Sequence, residues 1–339
     1  MTLTPKERLR RAVRYEPVDR IPTQINYTPD MGRKMADHFA VSLDELPAFL
    51  GNHMIRLDID FPGILSQDGK VKSDWWGVGF DTQEEGYFAA VSPLAGGADL
   101  DKHPWPNPDD PQLLKSAGRT IQEKGETYFI TPNFGFALFE RAWTLRGFEQ
   151  FFMDMAQDPV FTGELLDRIV DIQLRLINRY LDLGVDGAYF GDDYGAQKNL
   201  LFSPRMWRQY IKPRLARLFA PFVARNMPIL MHSDGQIQKI LPDLVEIGLT
   251  TLNPVQPEAL DHAWLAENFV GKLAFYGGVS TQTVLPYGTP AEVKTAVASA
   301  AATLSPNGTG LLIAPSHRLM TDIPMANIAA MLEAFQELA

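Results

Sequence analysis

The sequence predicts a single (β/α)8 barrel of the TIM type, with an insertion after its second strand. Eight short apolar runs recur along the 339 residues, and most are followed by a segment with helical periodicity. Alternation of this kind implies a parallel sheet, and eight repeats favour closure of that sheet into a barrel. The length suits one barrel that carries an insertion, so we expect one domain spanning residues 1–339.

The predicted strands are the apolar runs themselves, in chain order. They lie at residues 21–26, 55–60, 128–133, 187–191, 228–232, 250–254, 273–279 and 310–315. A helix is predicted at the start of the chain, because Thr4 and Pro5 supply a cap and a first-turn proline ahead of Glu7. Amphipathic helices are predicted between the later strands, at residues 159–184, 203–225, 237–248 and 289–304.

The stretch between the second and third predicted strands is too long for a plain crossover. We assign residues 63–125 to an insertion, in which residues 71–80 and 86–91 predict a hairpin and the proline-rich stretch 103–111 predicts an irregular segment. A long segment that leaves the carboxyl end of a barrel strand falls over the catalytic face. The insertion is therefore expected over the barrel mouth, as a lid or equally as a surface elaboration or dimer contact.

The composition limits the classes to which this protein can belong. Hydrophobic residues make up 45% and charged residues 21%, as in folded soluble proteins. The absence of cysteine excludes disulfides and thiolate metal sites, and a net charge of −10 argues against nucleic-acid binding. No apolar stretch is long enough for a membrane span, and the first residues lack a signal-peptide core. We therefore expect a cytoplasmic protein without membrane association.

Polar residues gather at the carboxyl ends of the predicted strands, and a barrel brings these ends to one mouth. Loops after strands are polar in any case, but two of the six histidines directly follow apolar runs, which general loop polarity explains less well. The residues at strand ends are Asn26, Tyr27, Asp58, Asp60, Asn133, Asp192, Asp193, Tyr194, His232, Asp234, Asn253, Gln256, Ser316 and His317. Those assigned to substrate binding are Asp58, Asn133, Tyr194 and Gln256.

The sharpest local signal is the sequence MHSDG at residues 231–235. Alternation along a strand puts His232 and Asp234 on the same side, so both can face the mouth. A histidine and a carboxylate at this spacing can share a metal ion or act as an oriented acid–base pair. A lone histidine at a strand end is often structural, and the aspartate two residues later favours a functional role.

Two carboxylate pairs also lie at strand ends. Asp192 and Asp193 stand between glycines, where one is expected to cap the following helix while the other stays free for function. Asp58 and Asp60 face one side of a strand, and such a pair needs a cation, a proton or an arginine, which the nearby Arg56 or the distant Arg33 could supply. The residues predicted to be catalytic are Asp60, Asp192, Asp193, His232 and His317.

A segment rich in charge and aromatic rings, ERAWTLRGF at residues 140–148, follows the third predicted strand. It predicts a helix start, at which Arg141 is expected to be solvated. No glycine-rich phosphate loop of the Walker type is present in the sequence.

Seven motifs spread over nearly the whole chain form a recognisable set. They are TPKER at 4–8, PVDRIP at 17–22, AWTLRGF at 142–148, GDD at 191–193, HSDG at 232–235, NPVQ at 253–256 and APSH at 314–317. Together they resemble the uroporphyrinogen decarboxylase (URO-D) superfamily, which also contains cobalamin-dependent methyltransferases. The fold implied by this resemblance is a (β/α)8 barrel, in agreement with the strand count.

A resemblance to the true decarboxylases implies that Asp60 is the essential aspartate beside the pyrrole nitrogens and that no cofactor is needed. It also implies counterparts for His317 and for Arg33, one of two amino-terminal arginines that bind substrate. This sequence departs from the decarboxylases at their Arg-Gln-Ala-Gly-Arg run, reduced here to MGR at 31–33, and at their tyrosine, where Phe148 stands. Because their substrate carries eight carboxylates, these departures weigh against that activity.

A resemblance to the methyltransferase branch implies a zinc ion, commonly held there by a His-x-Cys pair and a later cysteine. This chain keeps His232 and the spacing, but Asp234 replaces the cysteine, and His317 lies near the later ligand. The resemblance thus implies Zn²⁺ held by His232, Asp234 and His317, with Glu140 as a fourth ligand. Such a site would polarise an ether or hydroxyl oxygen during methyl removal, as in O-demethylase systems where a corrinoid protein accepts the methyl group.

Three functions follow, of which the leading one is a metal-assisted methyltransferase that acts on a small methylated compound with a corrinoid protein as partner. The second is uroporphyrinogen decarboxylase. The third is a barrel that binds a tetrapyrrole or corrinoid without transforming it. The family is also compatible with a homodimer, in which Trp75, Trp76 and Trp105 would form an interface as readily as a lid.

Overall fold

Strands alternate with helices along most of the chain, as the apolar pattern predicts. The computed structural model describes residues 2–83, 86, 88–97 and 99–338. Its strands are β1 (Met54–Leu57), β2 (Ile64–Leu65), β3 (Val71–Ser73), β4 (Gly79–Asp81), β5 (Ala89–Val91), β6 (Phe129–Phe134), β7 (Ala188–Gly191), β8 (Ile229–His232), β9 (Thr251–Asn253), β10 (Ala274–Val279) and β11 (Leu311–Pro315). Its helices are α1 (Pro5–Ala12), α2 (Pro29–Phe39), α3 (Leu46–Phe49), α4 (Lys115–Lys124), α5 (Phe139–Arg146), α6 (Phe148–Gln157), α7 (Pro159–Leu183), α8 (Pro204–Met206), α9 (Lys212–Val223), α10 (Leu241–Glu246), α11 (His262–Phe269), α12 (Val284–Tyr287), α13 (Pro290–Leu304) and α14 (Met325–Glu337).

Seven strands form one curled parallel sheet, in the order β1-β6-β7-β8-β9-β10-β11. Every residue of β7, β10 and β11 is buried, which explains why these segments are continuous apolar runs rather than alternating ones. The predicted α/β class and the parallel sheet are therefore confirmed. Since all seven strands run the same way, the polar residues that follow them share one edge of the sheet.

The segment predicted as the first strand, residues 21–26, is not a regular strand. Thr23 forms isolated parallel bridges to Asn52, just before β1, and to Ile313 of β11, so the segment lies between the two edges of the sheet. On the side that faces β1, a side chain takes the place of ladder hydrogen bonds, because the backbone N–H of Ile25 donates to Asn52 Oδ1 over 2.7 Å. On the side that faces β11, the backbone N–H of Gln24 donates to the Ile313 carbonyl. Pro22, which has no N–H, offers only its carbonyl to Ile313.

Residues 64–91 contain a small antiparallel sheet, in the order β2-β3-β4-β5, inserted between β1 and β6. The predicted hairpin is present, because β4 pairs antiparallel with β5, but residues 71–80 also contain a turn of their own that joins β3 to β4. Asp74 makes this turn, because its Oδ1 accepts from the N–H groups of Trp76 at 2.9 Å and Val78 at 3.0 Å. The predicted strand 86–91 is observed as β5. The residues of the predicted insertion that lie outside the described part of the chain are Glu84, Glu85, Tyr87 and Ala98.

The observed helices match the predicted ones except where a helix is interrupted or ends. Helix α7 begins after Asp158, which caps the N–H of Phe161, and ends at Gly184 in the left-handed conformation. The predicted helix 203–225 contains a π-helical turn, Trp207–Ile211, directly before Pro213, which cannot donate to the helix. Among the described helices, α7 included, none combines the length and the apolar character that a bilayer crossing requires.

Helix α1 covers the amino end of the parallel sheet. Its N-terminal residue Lys6 donates its N–H to the Thr127 carbonyl near β6, and the carbonyl of Ala12 accepts from Gly310 just before β11. Leu9 and Val13 pack into a buried cluster contributed by the interior of the curled sheet. The other large members of that cluster are Met54, Phe129, Tyr189, Leu230, Tyr276 and Leu312. The end of the sheet opposite to the polar residues is thereby closed.

A buried histidine, His53, joins α1 to this region and is only 1% exposed. Its Nε2 lies 2.9 Å from Arg8 Nη1, while its Nδ1 lies 2.8 Å from the Gly51 carbonyl and 2.9 Å from the Thr23 carbonyl. Arginine only donates, so Nε2 accepts and Nδ1 carries the proton. Burial, helped by the charge of Arg8, lowers the pKa of His53 to about 4.

We expect the folded state to lose stability through His53 as the pH falls from 6.5 to 4. The unfolded chain takes up a proton near the ordinary pKa of 6.5, whereas the folded chain does so only near pKa 4, so protonation favours unfolding. The full shift corresponds to about 3 kcal/mol. Urea unfolding at pH 7 and at acidic pH tests this: His53→Gln should lose clearly less stability on acidification than wild type. Equal losses in wild type, His53→Gln and the exposed control His38→Gln would contradict it.

Candidate active site

A cavity of about 970 Å³ opens at the carboxyl ends of the parallel strands. Its wall includes Asn133 from β6, Asp193 after β7, His232 from β8 and His317 after β11. The small antiparallel sheet contributes Lys72, Ser73 and the neighbouring tryptophans to the same wall. Side chains that are distant in sequence thus meet at one mouth, as the strand pattern predicts.

His232, Asp234 and His317 bring two imidazoles and one carboxylate together. Nε2 of His232 lies 3.6 Å from Asp234 Oδ1, and Nε2 of His317 lies 3.9 Å from Asp234 Oδ2. One ligand atom of each residue lies within 4.8 Å of the other two. We call these residues the triad. Its three donor atoms could hold a metal ion between β8 and the loop that follows β11.

The charges of the triad depend on one another. Burial opposes a charged His232, but the carboxylates of Asp234 and Asp193 outweigh it and raise the pKa of His232 to about 9. Burial lowers the pKa of His317, although Asp234 opposes this effect. The pKa of Asp234 is lowered, because His232 and His317 more than offset its burial. Without a metal, the triad at neutral pH therefore holds a His232–Asp234 ion pair, and a bound cation would displace the proton from His232.

Asn253, at the end of β9, fixes the orientation of His232. Its Oδ1 lies 2.8 Å from His232 Nδ1 and also accepts from the Tyr189 hydroxyl over 2.8 Å, while its Nδ2 donates to the Tyr276 carbonyl. Because Oδ1 can only accept, the Nδ1 of His232 must donate to it. The Nε2 lone pair of a neutral His232 is then directed to the triad, an arrangement typical of metal-binding histidines.

Replacing Asn253 by leucine should lower the affinity for Zn²⁺ by about ten- to a hundredfold, because His232 loses the partner that orients it. Tyr189→Phe is the matched control, since it removes a donor to the same Oδ1 but leaves the His232 contact in place. Competition titration against a chromophoric chelator measures both. If a folded Asn253→Leu protein bound Zn²⁺ as tightly as wild type, the orienting role would be ruled out.

Of the adjacent aspartates after β7, Asp192 is structural in its contacts. It is fully buried, and its carboxylate accepts from the N–H groups of Phe139 and Glu140 and from the Tyr194 hydroxyl, at 2.7–2.8 Å. One aspartate of the pair was expected to cap a helix, and Asp192 caps the start of α5 rather than the next helix in the chain. Burial raises the pKa of Asp192 to about 6 despite these donors. Tyr194, assigned to substrate binding, is fully buried beside Asp192 and does not line the cavity.

Asp193 and Glu140 both line the cavity, and their carboxylates repel each other when both are charged. Asp193 Oδ1 accepts from the Asp234 N–H over 2.8 Å and lies 3.8 Å from His232 Nε2. Burial, reinforced by the charges of Asp193 and Asp192, raises the pKa of Glu140 well above its ordinary value. Glu140 is not among the three side chains whose ligand atoms converge, and a raised pKa suits a proton donor better than a metal ligand.

Asp58 and Asn133 form a polar pair on the cavity wall, with Asn133 Nδ2 donating to Asp58 Oδ1 over 2.7 Å. Arg56 lies beside them, and its guanidinium stands 4.5 Å from the ring centre of Tyr189. These residues offer a carboxylate, an amide and a cation to a polar substrate.

Two predicted site residues lie away from this cavity. Asp60 is exposed, and its carboxylate accepts from the N–H of Ser116 over 2.8 Å and from the Ser116 hydroxyl, at the start of α4. Arg33 is exposed on α2 and pairs with Asp30 in the same turn. The structure therefore brings neither side chain to His232 or His317.

Gln256 also lies outside the large cavity. It is 6% exposed and lines a smaller cavity on the other side of His317. Its side-chain Nε2 is buried without a hydrogen-bond partner. Its neighbourhood includes Asp234, so it remains close to the triad.

Arg141, expected to be solvated, is in fact buried, at 5% exposure. Its Nη1 pairs with Asp74 Oδ2 at 2.6 Å, and its guanidinium lies over the rings of Trp76 and Phe136. This ion pair ties α5 to the small antiparallel sheet and so fixes one wall of the cavity. No local sequence pattern predicts this pair, because Asp74 lies in the turn between β3 and β4, far from Arg141 in the chain.

Comparison with known proteins places the chain in a family. The family model described as uroporphyrinogen decarboxylase (URO-D) matches residues 4–338. Among solved structures, the fold is similar to that of a methyltransferase from Methanosarcina mazei, with a TM-score of 0.73 and 19% identity over 99% of both chains. A weaker likeness, to a B12-independent methionine synthase from Shewanella sp. W3-18-1, has a TM-score of 0.44 and 12% identity over 66% of this chain and 67% of that one. No curated protein matches the chain by sequence. Because the family model spans nearly all of its residues, the chain belongs to the uroporphyrinogen decarboxylase (URO-D) family.

Proposed function

We propose that this protein is a metal-assisted methyltransferase, which takes a methyl group from a small O-methylated compound and passes it to a corrinoid-bearing partner protein. The observation that carries the proposal is the triad of His232, Asp234 and His317 at the wall of a large cavity. The structural similarity to the Methanosarcina mazei methyltransferase is one of fold, and it motivates the choice of reaction.

The donor atoms of the triad fit Zn²⁺. Two imidazole nitrogens and one carboxylate oxygen form a set that catalytic zinc sites use, with a further position left for a substrate. Zinc held there by His232, Asp234 and His317 would supply Lewis-acid chemistry to an ether or hydroxyl oxygen. The donors are harder than thiolates, which suits an oxygen leaving group better than a sulfur one.

The remaining residues of the cavity bind the substrate and manage its proton. Asp58, Asn133 and Arg56 would hold its polar groups on one wall. Glu140, whose pKa is raised by burial and by the neighbouring carboxylates, would donate its carboxyl proton to the oxygen that loses the methyl group. The indole rings of Trp75 and Trp76 would exclude water from the reacting centre.

The proposal includes an arrangement of the chain around this cavity. Residues 21–26 would take the place of an eighth strand and close the barrel. The bridges of Thr23 to Asn52 and to Ile313 support this arrangement. Residues 63–125 would be an insertion that covers the mouth as a lid, supported by the contribution of Lys72, Ser73 and Phe80 to the cavity wall.

The decarboxylase reaction has less support. Its essential aspartate would be Asp60, yet this carboxylate is bonded to Ser116 and does not line the cavity. Incubation with uroporphyrinogen would show coproporphyrinogen if the decarboxylase assignment were correct. A barrel that binds a corrinoid without transforming it would tolerate alanine at His232, Asp234 and His317, and would bind corrinoid tightly without turnover.

The test of the proposal combines metal analysis with methyl transfer. Protein purified without chelators should contain about one Zn²⁺ per chain, and should transfer methyl groups from O-methylated compounds to reduced corrinoid. Removal of the metal by a chelator should abolish transfer, and added Zn²⁺ should restore it. A metal-free wild type with full activity would end the proposal.

A further inference from the structure

Arg56 places a permanent positive charge in the wall of the large cavity. It belongs to β1, near the carboxyl end of that strand, and is partly buried. Among the described residues, no carboxylate lies within 4 Å of its guanidinium, whereas Arg141 of the same wall pairs with Asp74 at 2.6 Å. Removing such a charge from water without a counter-charge is costly, so a ligand that brings a negative group to Arg56 would be stabilised there.

The donors of Arg56 are accessible from the cavity. Its guanidinium stands 4.5 Å from the centre of the Tyr189 ring. A guanidinium carries five N–H donors in a fixed fork, and a contact to an aromatic ring does not use all of them. None of the Arg56 nitrogens is among the described side-chain atoms that are fully buried without a hydrogen-bond partner. A ligand in the cavity can therefore reach them.

The groups around Arg56 do not neutralise its charge. Tyr189 and Tyr276 lie beside it, and burial raises the pKa of both phenols, so both are uncharged at neutral pH. Asp58 is the nearest acid along the chain, but it is exposed after the end of β1 and accepts from Asn133 Nδ2 over 2.7 Å. The positive charge of Arg56 is thus left for a ligand.

The other acids of the cavity wall act elsewhere. Asp74 is held in its ion pair, and burial and its neighbouring carboxylates raise the pKa of Glu140. Asp193 lies 3.8 Å from His232 Nε2, and Asp81 belongs to β4 of the small antiparallel sheet. A carboxylate bound at Arg56 would therefore meet a full positive charge that no described acid contacts.

Two side chains connect Arg56 to the triad. Tyr189, whose ring lies against the guanidinium, donates its hydroxyl to Asn253 Oδ1 over 2.8 Å. The same oxygen accepts from His232 Nδ1 over 2.8 Å. Arg56 and His232 both line the large cavity. One molecule in this cavity would thus have a cation and the triad within the same wall.

We propose, on the basis of the proposed methyl transfer, that the substrate is an O-methylated compound that also carries a carboxylate, and that Arg56 binds this carboxylate. A guanidinium holds a carboxylate by two parallel N–H···O bonds, which fix its direction as well as its position. The methoxy oxygen of the same molecule is then directed to the triad. Arg56 is in this way a specificity residue, which selects acids over neutral ethers.

Methoxyacetate is the probe, because this small molecule carries a methoxy group and a carboxylate, and methoxyacetamide is its neutral counterpart of similar size. Ligand-observed NMR measures the binding of each to the full chain, as purified and after chelator treatment. In both forms wild type should bind methoxyacetate saturably, and at least about tenfold more tightly than methoxyacetamide. The chelator-treated form matters because a carboxylate also binds Zn²⁺ directly. This comparison needs no variant, so it decides the matter even if a variant fails to fold.

Arg56→Met removes the charge, and should weaken methoxyacetate binding by at least about tenfold while leaving the binding of methoxyacetamide unchanged. Arg33→Met is the matched control, because it removes an arginine that is exposed on α2, away from the cavity. It should bind methoxyacetate as wild type does. Since the readout is binding to metal-free protein, it does not depend on whether methyl transfer is observed.

The proposal is overturned if chelator-treated wild type shows no saturable methoxyacetate binding or binds the amide equally well. It is also overturned if a folded Arg56→Met protein binds methoxyacetate like wild type. Lys72 is an exposed cation of the same wall. Loss of binding in Lys72→Met, with binding retained in Arg56→Met, would assign the carboxylate to the mouth of the cavity and contradict the role of Arg56.

Discussion

His317→Ala should lower the affinity of the protein for Zn²⁺ by at least about a hundredfold, and methyl transfer should fall with it. His317 supplies the one triad nitrogen that comes from outside the β8 segment, and only Asp234 and His232 would remain. The side chain is 40% exposed and follows β11, so its removal should leave the free energy of unfolding nearly unchanged. The effect would thus be on the site and not on the fold.

The measurement is a chelator competition titration, with metal content checked on the purified proteins. His38→Ala is the matched control, because His38 is exposed on α2 and takes no part in the triad. It should bind Zn²⁺ as wild type does. Stoichiometric zinc of unchanged affinity in His317→Ala would remove this residue from the ligand set.

Asp192→Ala should lower the free energy of unfolding by about 3 kcal/mol, because it orphans three buried donors at once. These are the N–H groups of Phe139 and Glu140, which open α5, and the hydroxyl of Tyr194. Loss of this cap would also disturb Glu140 and Arg141, two residues of the cavity wall. Urea unfolding measures the effect, and a variant as stable as wild type would contradict the capping role.

The neighbouring Asp193→Ala is the contrasting variant. Its side chain lines the cavity and holds one backbone N–H, that of Asp234, while its charge opposes those of Glu140 and Asp234. Removing it should therefore cost less than about 1 kcal/mol of stability, yet should lower methyl transfer. Adjacent aspartates would then be separated experimentally into a residue of the scaffold and a residue of the site.

Much of this architecture was predictable from periodicity. Buried parallel strands are apolar throughout, so seven of the eight predicted strands match observed ones within a few residues. The meeting of His232 with His317 also followed, because parallel strands carry their carboxyl ends to one edge. Residues 21–26 do not form a regular strand, because on the β1 side the side chains of Asn52 and Gln24 accept from the N–H groups of Ile25 and His53 in place of a backbone ladder. Single-strand patterns do not reveal such partners.

Contacts made after the end of β1 and by the small antiparallel sheet were not predictable. Asp58 and Asp60 were expected to face one side of a strand, but β1 ends at Leu57 and the alternation stops there. Asp60 then turns to Ser116, which the sequence does not mark as its neighbour. The burial of Arg141 was unpredictable for a similar reason, because its partner Asp74 belongs to a different part of the chain, next to the small antiparallel sheet. Asn253 was visible as a strand-end residue, but its role depends on the position of His232 on the neighbouring strand β8.

The pairing of Thr23 with both Asn52 and Ile313 also has a consequence for synthesis on the ribosome. Thr23 emerges from the ribosome well before Ile313, which lies far later in the chain. Until β11 has been made, the backbone groups of residues 22–24 lack their partners in that strand. We therefore expect the parallel sheet to be completed on this side only after β11 has been made.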